Sequence, residues 1–241
     1  MKTIRIILIL VLFQSQLIAQ NNSRSTLMAG KIDTAVRIDG VLDDAIWINA
    51  DSASEFWTNF PADTMRANSQ TVVKIVYDDE YLYVAASMLN ASAVRSYVAS
   101  SLRRDYPFIA NDAFGVILDT YRDQTNGYGF YVSAYGVQRE EQIFSGTMSD
   151  GTWDTKWISA VSYHSAGWSA EMQIPLKYLR YRDDLDTWNI NFVRNDIASN
   201  QRSSWIPVPR NFPTVSMAYH GVLKWTGDLK KVRKNFSIIR H

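Results

Sequence analysis

The chain has 241 residues, of which 46% are hydrophobic, so it can bury one substantial core but leaves little room for a second domain. Its 25 Lys and Arg residues balance 24 Asp and Glu residues to a formal net charge of +1, which excludes the basic footprint of a nucleic-acid-binding protein. The absence of cysteine excludes disulfide partners, thiolate metal ligands and a cysteine nucleophile.

Residues 1–19 have the pattern of a secretory signal peptide. Lys2 and Arg5 form a positive start, residues 6–13 form an apolar run, and Ala19 supplies a small residue for cleavage. The run is too short to span a bilayer as a mature helix. We therefore expect an exported protein, located in the bacterial periplasm or at the outer membrane and cell surface. Residues 20–30 are polar without periodicity and are predicted to form a linker.

Residues 31–227 carry short alternating apolar runs, which predict an all-β domain. The runs are 72–77, 81–86, 114–119, 130–134, 157–163, 168–174, 188–194 and 219–225. Within 168–174, Trp168 and its i+2 neighbours are expected to face a core, while Ser169, Glu171 and Gln173 face water. The same alternation places Asn189 and Asn191 on a wet face. Two packed sheets fit best, giving an antiparallel β-sandwich of the jelly-roll or immunoglobulin-like kind.

Turn residues separate these runs, at 39–40, 78–80, 126–127, 150–151 and 166–167. Helix is sparse. Asp43 or Asp44 can cap a short helical turn that directs Trp47 inward, and residues 176–181 after Pro175 can form another. The sandwich is therefore predicted to contain one or two short helical turns.

Residues 38–47 (IDGVLDDAIW) and 73–85 (VKIVYDDEYLYVA) resemble the opening of a family 9 carbohydrate-binding module. Further motifs at 111–119, 136–139, 153–157, 167–175 and 179–181 resemble the branch found at the N-terminus of bacterial outer-membrane β-barrel proteins of unknown function. The resemblance covers residues 31–227. It implies a non-catalytic module that takes part in polysaccharide binding or catabolism at the cell envelope, with an oligo- or polysaccharide as partner.

A sugar site needs flat aromatic faces and a few polar groups that reach hydroxyls. The tryptophans least tied to an alternating strand are Trp57, in a segment ending at Pro61, and Trp205, just before Ile206-Pro207. We predict these two as sugar platforms, with core or loop packing as the alternative. The candidate polar partners are Arg194, Asn195 and Arg202, together with Asn189 and Asn191. Modules of the family clamp a chain end between two tryptophans, a pair that the motifs do not map onto this sequence.

The resemblance also implies structural calcium, which requires six to eight oxygen ligands. The candidate ligands are Asp78 and Asp79, in an acidic turn, and Asp112 and Asp119, at the two ends of a predicted strand. The sequence lacks the spacing of an EF-hand loop. The alternative is that each aspartate caps backbone amides.

Two other functions stay open. The first is a structural or docking domain of an outer-membrane β-barrel assembly that binds no sugar; residues 228–241 form a basic tail that is either a frayed end or the start of such a barrel. The second is an autonomous glycoside hydrolase, which would need a carboxylate pair among Glu140, Glu141, Asp154 and Glu171. Glu140 and Glu141 are expected on opposite faces of a strand, and Glu171 at the surface.

Overall fold

The computed structural model describes residues 25–91 and 96–229, which contain 14 strands and three single 3-10 turns. The strands are β1 (Thr26–Lys31), β2 (Ser52–Ala53), β3 (Trp57–Phe60), β4 (Thr71–Tyr77), β5 (Tyr81–Leu89), β6 (Ala113–Asp119), β7 (Gly127–Ser133), β8 (Gln138–Phe144), β9 (Met148–Asp150), β10 (Ile158–His164), β11 (Gly167–Pro175), β12 (Thr187–Asp196), β13 (Gln201–Ser204) and β14 (Gly221–Trp225). The 3-10 turns are Ala45–Trp47, Phe108–Ala110 and Leu176–Tyr178, and none of the helical segments in the described ranges could cross a membrane. The predicted signal peptide and residues 230–241 of the predicted tail lie outside the described residues.

The strands form two sheets joined by one strand. The first sheet has the order β9-β8-β7-β6-β12-β14-β1, with β13 beside the end of β12 and β3 beside β13; the second has the order β10-β11-β5-β4, with β2 and the end of β1 against β4. Residues 26–29 of β1 pair in parallel with β14, and residues 30–31 pair in parallel with β4. All other strand pairs in the described ranges are antiparallel. The predicted all-β sandwich is confirmed, with β1 as a parallel exception.

Strand β1 begins at Thr26, inside the segment predicted to be a linker. Leu27 and Ala29 alternate inward along β1 and are fully buried in the main core. Leu27, Met28 and Ala29 are consecutive apolar residues, a run that is too short and lacks the alternation that would indicate a strand, so the linker prediction is wrong for residues 26–30. The strand forms by pairing with β14 and β4, and these partners lie far away in sequence.

The main core lies between the two sheets and contains the predicted inward faces. From β11 these are Trp168, Ala170, Met172 and Ile174; from β12 they are Trp188, Ile190 and Phe192; and from β6 they are Phe114, Val116 and Leu118. Side chains alternate across a strand, so the opposite faces point away from this core. Those outer faces were expected to be wet, and most of their residues are instead buried.

Residues 32–50 cover the outer face of the second sheet. Val36 and Trp47 from this segment pack on Val76, Tyr83 and Ala85 in a separate apolar cluster. The outer face of the first sheet is covered in the same way by residues 96–112 and 205–220, through a cluster that includes Tyr106, Tyr131 and Met217. The alternating pattern identified two faces per strand, but it carried no information on the loops that cover them.

Glu171 holds the covering segment 32–50 on the sheet. Its side chain is 0% exposed. One carboxylate oxygen accepts the backbone N–H groups of Asp39 and Gly40, both at 3.0 Å, and the other accepts the indole N–H of Trp47 at 3.0 Å. Burial raises the pKa of Glu171, and these three donors oppose that rise. The prediction that Glu171 is a surface charge is therefore wrong, because the Asp39-Gly40 turn lies on top of it.

Candidate functional site

Trp205 lies in the core instead of on the surface. It is 9% exposed, its ring centre lies 5.7 Å from that of Phe192, and its backbone N–H donates to the Phe192 carbonyl at 3.0 Å. A Cβ at Gly221 would lie 2.6 Å from the indole, so the ring fills the space that this glycine leaves. Trp205 therefore offers no accessible platform to a sugar.

Arg194 joins the two sheets. It is buried, and its guanidinium donates to the carbonyls of Gln70 at 3.0 Å and Leu89 at 2.9 Å and pairs with Asp196 at 3.2 Å. The guanidinium on β12 of the first sheet is thereby bonded to the backbone beside β4 and at the end of β5 in the second sheet. The prediction of Arg194 as a sugar partner is contradicted by these contacts. Asn191 is committed in the same way, to the backbone of Ile206 and Tyr219.

Trp57 is half-buried on β3, a strand where a loop was expected. The guanidinium carbon of Arg66 lies 4.0 Å from the indole ring centre, and Arg66 pairs with Glu55 at 3.0 Å. One face of Trp57 is thus covered by a cation.

A clamp of two tryptophans is not formed. All eight tryptophans lie in the described ranges, and six are at most 9% exposed, namely Trp47, Trp157, Trp168, Trp188, Trp205 and Trp225. The remaining two are Trp57, on β3, and Trp153, which packs on Tyr128 and Phe130 of β7. Strands β13, β12 and β6 lie between β3 and β7, a separation of about 19 Å at roughly 4.8 Å per strand.

The acidic turn does not fit a calcium site. One oxygen of Asp78 accepts the N–H groups of Glu80 and Tyr81 at 2.7 Å, and the other accepts the Tyr83 hydroxyl at 2.8 Å. Asp79 pairs with Lys31 at 2.9 Å. A cation site needs carboxylate oxygens that are free to coordinate, whereas these already accept donors.

The carboxylates of Asp112 and Asp119 also accept hydrogen bonds from the protein itself. Asp112 accepts the backbone N–H groups of Val98 at 2.7 Å and Ile197 at 2.9 Å, one on each oxygen. Asp119 accepts two backbone N–H groups of the following turn and the Asn189 amide at 2.8 Å, and burial raises its pKa. Across residues 25–91 and 96–229 no three acidic or histidine side chains are grouped to hold a metal ion. The carboxylates of Asp78, Asp112 and Asp119 accept hydrogen bonds from backbone amides, and the binding of calcium remains a prediction.

The structure brings Asn195 and Arg202 together in one depression, the β12–β13 cleft, with a volume of about 240 Å³. It is lined by Phe60, Ile109, Asn195, Asp196, Ile197, Asn200, Gln201 and Arg202. Phe60 comes from β3, and Ile109, which is 64% exposed, comes from the 3-10 turn Phe108–Ala110. Trp57, Trp205 and Arg194 do not line the cleft.

Polar side chains make up part of the lining of the β12–β13 cleft. The Asn195 amide donates to the carbonyls of Asn111 at 2.8 Å and Phe108 at 3.3 Å, which holds the 3-10 turn in place. The oxygen of the Gln201 amide accepts the Asn68 N–H at 3.0 Å. Each amide therefore has a fixed orientation, with its other atom uncommitted within the described residues.

Two arginines surround Phe60. The guanidinium carbons of Arg202 and Arg210 lie 5.2 and 5.8 Å from the centre of its ring. Burial lowers the pKa of Arg202, which still carries its charge at neutral pH. The cleft thus combines an apolar wall with positive and amide donors. Sequence reasoning missed Phe60, Ile109 and Gln201, because the cleft is assembled from three separate segments.

An all-β sandwich with a small open cleft of apolar and polar side chains has the architecture of a binding module. The family of carbohydrate family 9 binding domain-like proteins matches residues 38–212, and the chain belongs to this family. The family is one of non-catalytic modules, in agreement with the prediction that the protein is not an enzyme.

Solved structures of low sequence identity share the fold. A putative carbohydrate-binding protein from Bacteroides uniformis has a TM-score of 0.67 at 14% identity, covering 84% of this chain and 100% of that chain. A family 9 carbohydrate-binding module from Caldicellulosiruptor kristjanssonii in complex with glucose has a TM-score of 0.62 at 15% identity, covering 87% and 100%. A family 9 module from the same organism in complex with cellotriose has a TM-score of 0.59 at 15% identity, covering 90% of this chain and 100% of that chain. No curated protein matches the chain.

Proposed function

We propose that this protein is a carbohydrate-binding module that holds a sugar in the β12–β13 cleft. The observation that carries the proposal is that Asn195, Gln201 and Arg202 line the same cleft as the apolar side chains of Phe60 and Ile109. A pyranose ring has apolar faces and a rim of hydroxyls, and this arrangement matches both.

The size of the cleft favours a short ligand. Small-molecule pockets are commonly about 300–1,000 Å³, and the cleft holds about 240 Å³. One sugar ring at the end of a chain fits this volume better than a longer segment does. Family membership supports carbohydrate as the ligand class. The similar modules bind glucose and cellotriose, which makes β-linked glucose oligomers the first probes.

The side chains that line the cleft contact different parts of the sugar. The Phe60 ring packs on a sugar face, and Arg202, oriented by that ring, donates to hydroxyls. The Asn195 oxygen accepts a hydroxyl proton while its amide nitrogen stays bonded to Asn111. Preorganised polar groups lose little conformational entropy on binding, so a small cleft suffices for measurable affinity.

We also propose that the module is exported to the bacterial envelope and serves polysaccharide catabolism there, alongside an outer-membrane β-barrel. The N-terminal pattern of residues 1–19 supports export, and the series of motifs between residues 111 and 181 supports the barrel-associated branch. Fractionation of cells that express the whole chain tests this: recovery of uncleaved protein in the cytoplasm would contradict it.

The binding test uses residues 20–241 on a glycan array, followed by calorimetry with each glycan that binds. We expect Arg202→Ala and Phe60→Leu to weaken binding at least about tenfold. Arg182→Ala is the matched control, because Arg182 is an exposed arginine paired with Asp184 and does not line the cleft. Unchanged affinity in both cleft variants would show that the site lies elsewhere. Binding to no glycan would favour the docking domain.

Parallel titrations in calcium and in EGTA test the calcium prediction. A structural ion that binds only the folded protein raises its stability by mass action. A lower melting temperature in EGTA, restored by calcium and not by magnesium, would support the ion. Identical melting curves would leave the aspartates as capping residues only.

A further inference from the structure

A second and larger depression, the β7–β8 groove, lies at the other end of the first sheet. Its volume is about 500 Å³, and it is formed where β6 and β8 end and β7 begins. The β12–β13 cleft lies beside the opposite end of β6, since Asn195 pairs with Ala113 and Asn189 with Asp119. The seven residues of β6 separate the two by about 20 Å at roughly 3.3 Å per residue.

Aromatic side chains form the base and rim of the groove. Tyr128 lies at the base, where its ring centre is 5.1 Å from that of Trp153, and Trp153 in turn packs edge-on against Phe130 at 5.9 Å. Tyr121 and Phe144 line the rim, and Phe144 is 39% exposed at the end of β8. The buried stack below fixes the base, while the rim rings present apolar surface to solvent.

Polar side chains of mixed charge complete the lining. The Tyr128 hydroxyl accepts the Arg180 backbone N–H at 3.0 Å, which places that residue beside the groove. Within the described residues the Arg180 guanidinium and the Gln142 amide enter no hydrogen bond, so both are available to a ligand. Asp150 accepts the Thr152 N–H at 2.8 Å and its hydroxyl at 2.6 Å on one oxygen, which leaves the other open.

From this geometry we propose that the β7–β8 groove binds an internal segment of a neutral, linear glycan. Rings in the base and rim stack on pyranose faces, and an amide, a carboxylate and a guanidinium are the planar groups that make paired hydrogen bonds to adjacent hydroxyls. The two carboxylates of Asp123 and Asp150 outweigh the single positive charge of Arg180, which disfavours phosphate- or sulfate-bearing ligands.

The volume of the groove distinguishes its ligand from that of the cleft. The groove holds about twice the volume of the β12–β13 cleft. It therefore accommodates more than one sugar ring. The inference rests on the proposed function only in taking carbohydrate as the ligand class. Two sites at opposite ends of one sheet would let the module bridge two glycan chains, or two parts of one chain, with a gain in avidity.

The test maps binding on isotope-labelled protein of residues 20–241 by NMR. The probes are cellohexaose, xylohexaose and mannohexaose. The side-chain amide of Gln142 and the Nε–H of Arg180 report on the groove, and the amide of Asn195 and the Nε–H of Arg202 report on the cleft. We expect at least one hexasaccharide to shift the groove signals, with Phe144→Ala weakening that binding at least about tenfold.

Met148→Ala is the matched control, because Met148 is an exposed apolar residue paired with Phe144 across β8 and β9 but does not line the groove. It should change the affinity less than about twofold. Shifts confined to Asn195 and Arg202 would overturn the groove and leave the cleft standing. So would shifts of the Gln142 and Arg180 signals at an affinity that Phe144→Ala leaves unchanged, because the ligand would then bind elsewhere and act on these signals indirectly. Shifts confined to the groove would refute the cleft alone, and no shift with any of the three sugars refutes the groove.

Discussion

Replacing Glu171 tests whether one buried carboxylate holds the N-terminal segment on the sandwich. In Glu171→Gln the side chain keeps its shape but retains a single acceptor oxygen. In the native protein the two carboxylate oxygens of Glu171 accept three donors, the N–H groups of Asp39 and Gly40 and the indole N–H of Trp47. Whichever way the amide is oriented, its NH₂ group must face a donor.

The expected cost follows from these contacts. Gly40 and Trp47 are buried, and a buried donor left unpaired costs about 1–3 kcal/mol. If the amide oxygen serves the two backbone groups, the Trp47 indole loses its partner, and we expect a loss of about 2 kcal/mol in the free energy of unfolding. Glu171→Ala leaves all three donors without an acceptor, and we expect it to cost about 3–5 kcal/mol.

Urea denaturation followed by tryptophan fluorescence measures both values. Gln173→Ala is the control: Gln173 lies two residues along β11 on the same face, and its contact with the Tyr83 hydroxyl is a weak one at 3.3 Å. It should change stability by less than about 0.5 kcal/mol. If Glu171→Gln is as stable as Gln173→Ala, the segment is held by the packing of Trp47 and not by the carboxylate.

Three further changes have definite expectations. Gly40→Ala should destabilise the fold by about 2 kcal/mol or more in thermal unfolding, because φ is +84° there and the new Cβ would lie 2.5 Å from the Val161 backbone; an unchanged melting temperature would refute this close approach. Trp205→Ala should cost about 3–5 kcal/mol in urea, and a loss of sugar affinity at full stability would contradict its place in the core. Hydrogen bonds from the Thr152 hydroxyl and N–H lower the pKa of Asp150, so the stabilisation from the ionised Asp150 is present above the ordinary carboxyl pKa and is lost as the pH falls through the lowered pKa. NMR titration of Thr152→Ala should show the Asp150 pKa rising toward its ordinary value. An unchanged pKa would exclude the Thr152 hydroxyl as the cause of the shift.

The sequence predicted the strands that have long, regular alternation. All eight predicted runs contain a strand, from β4 to β14, because a period of two is a local property that each strand carries in its own residues. The six other strands were missed, namely β1, β2, β3, β8, β9 and β13. Five of these have at most six residues, which is too short for a clear period of two. In β8 the consecutive charged residues Arg139, Glu140 and Glu141 hide the alternation. Both predicted helical turns occur, at Ala45–Trp47 and Leu176–Tyr178.

The candidate site was harder to predict, because burial of a loop residue depends on what lies over it. Trp205 follows a strand and precedes prolines, as a surface tryptophan can, and only the tertiary structure shows its ring against Phe192. Glu171 occupies a position that alternation assigns to a wet face, yet it is buried by a segment distant in sequence. Arg194 continues the inward face of Trp188, Ile190 and Phe192 along β12, but its charge suggested a surface position. Asn195 and Arg202, predicted as polar partners of a sugar, both line the β12–β13 cleft, whereas its aromatic and apolar residues come from other segments.

The parallel pairing of β1 with β14 has a mechanical consequence. The chain enters β1 beside the start of β14 and leaves β14 beside the far end of β1, so tension between the two ends of the domain pulls these strands in opposite directions. Their hydrogen bonds are then loaded together in shear, instead of being opened one at a time. We expect a high rupture force in single-molecule stretching from residues 25 and 229, and a much lower one when the same domain is pulled across the β10–β11 hairpin. A pull on the two ends of the domain is therefore resisted by several hydrogen bonds at once.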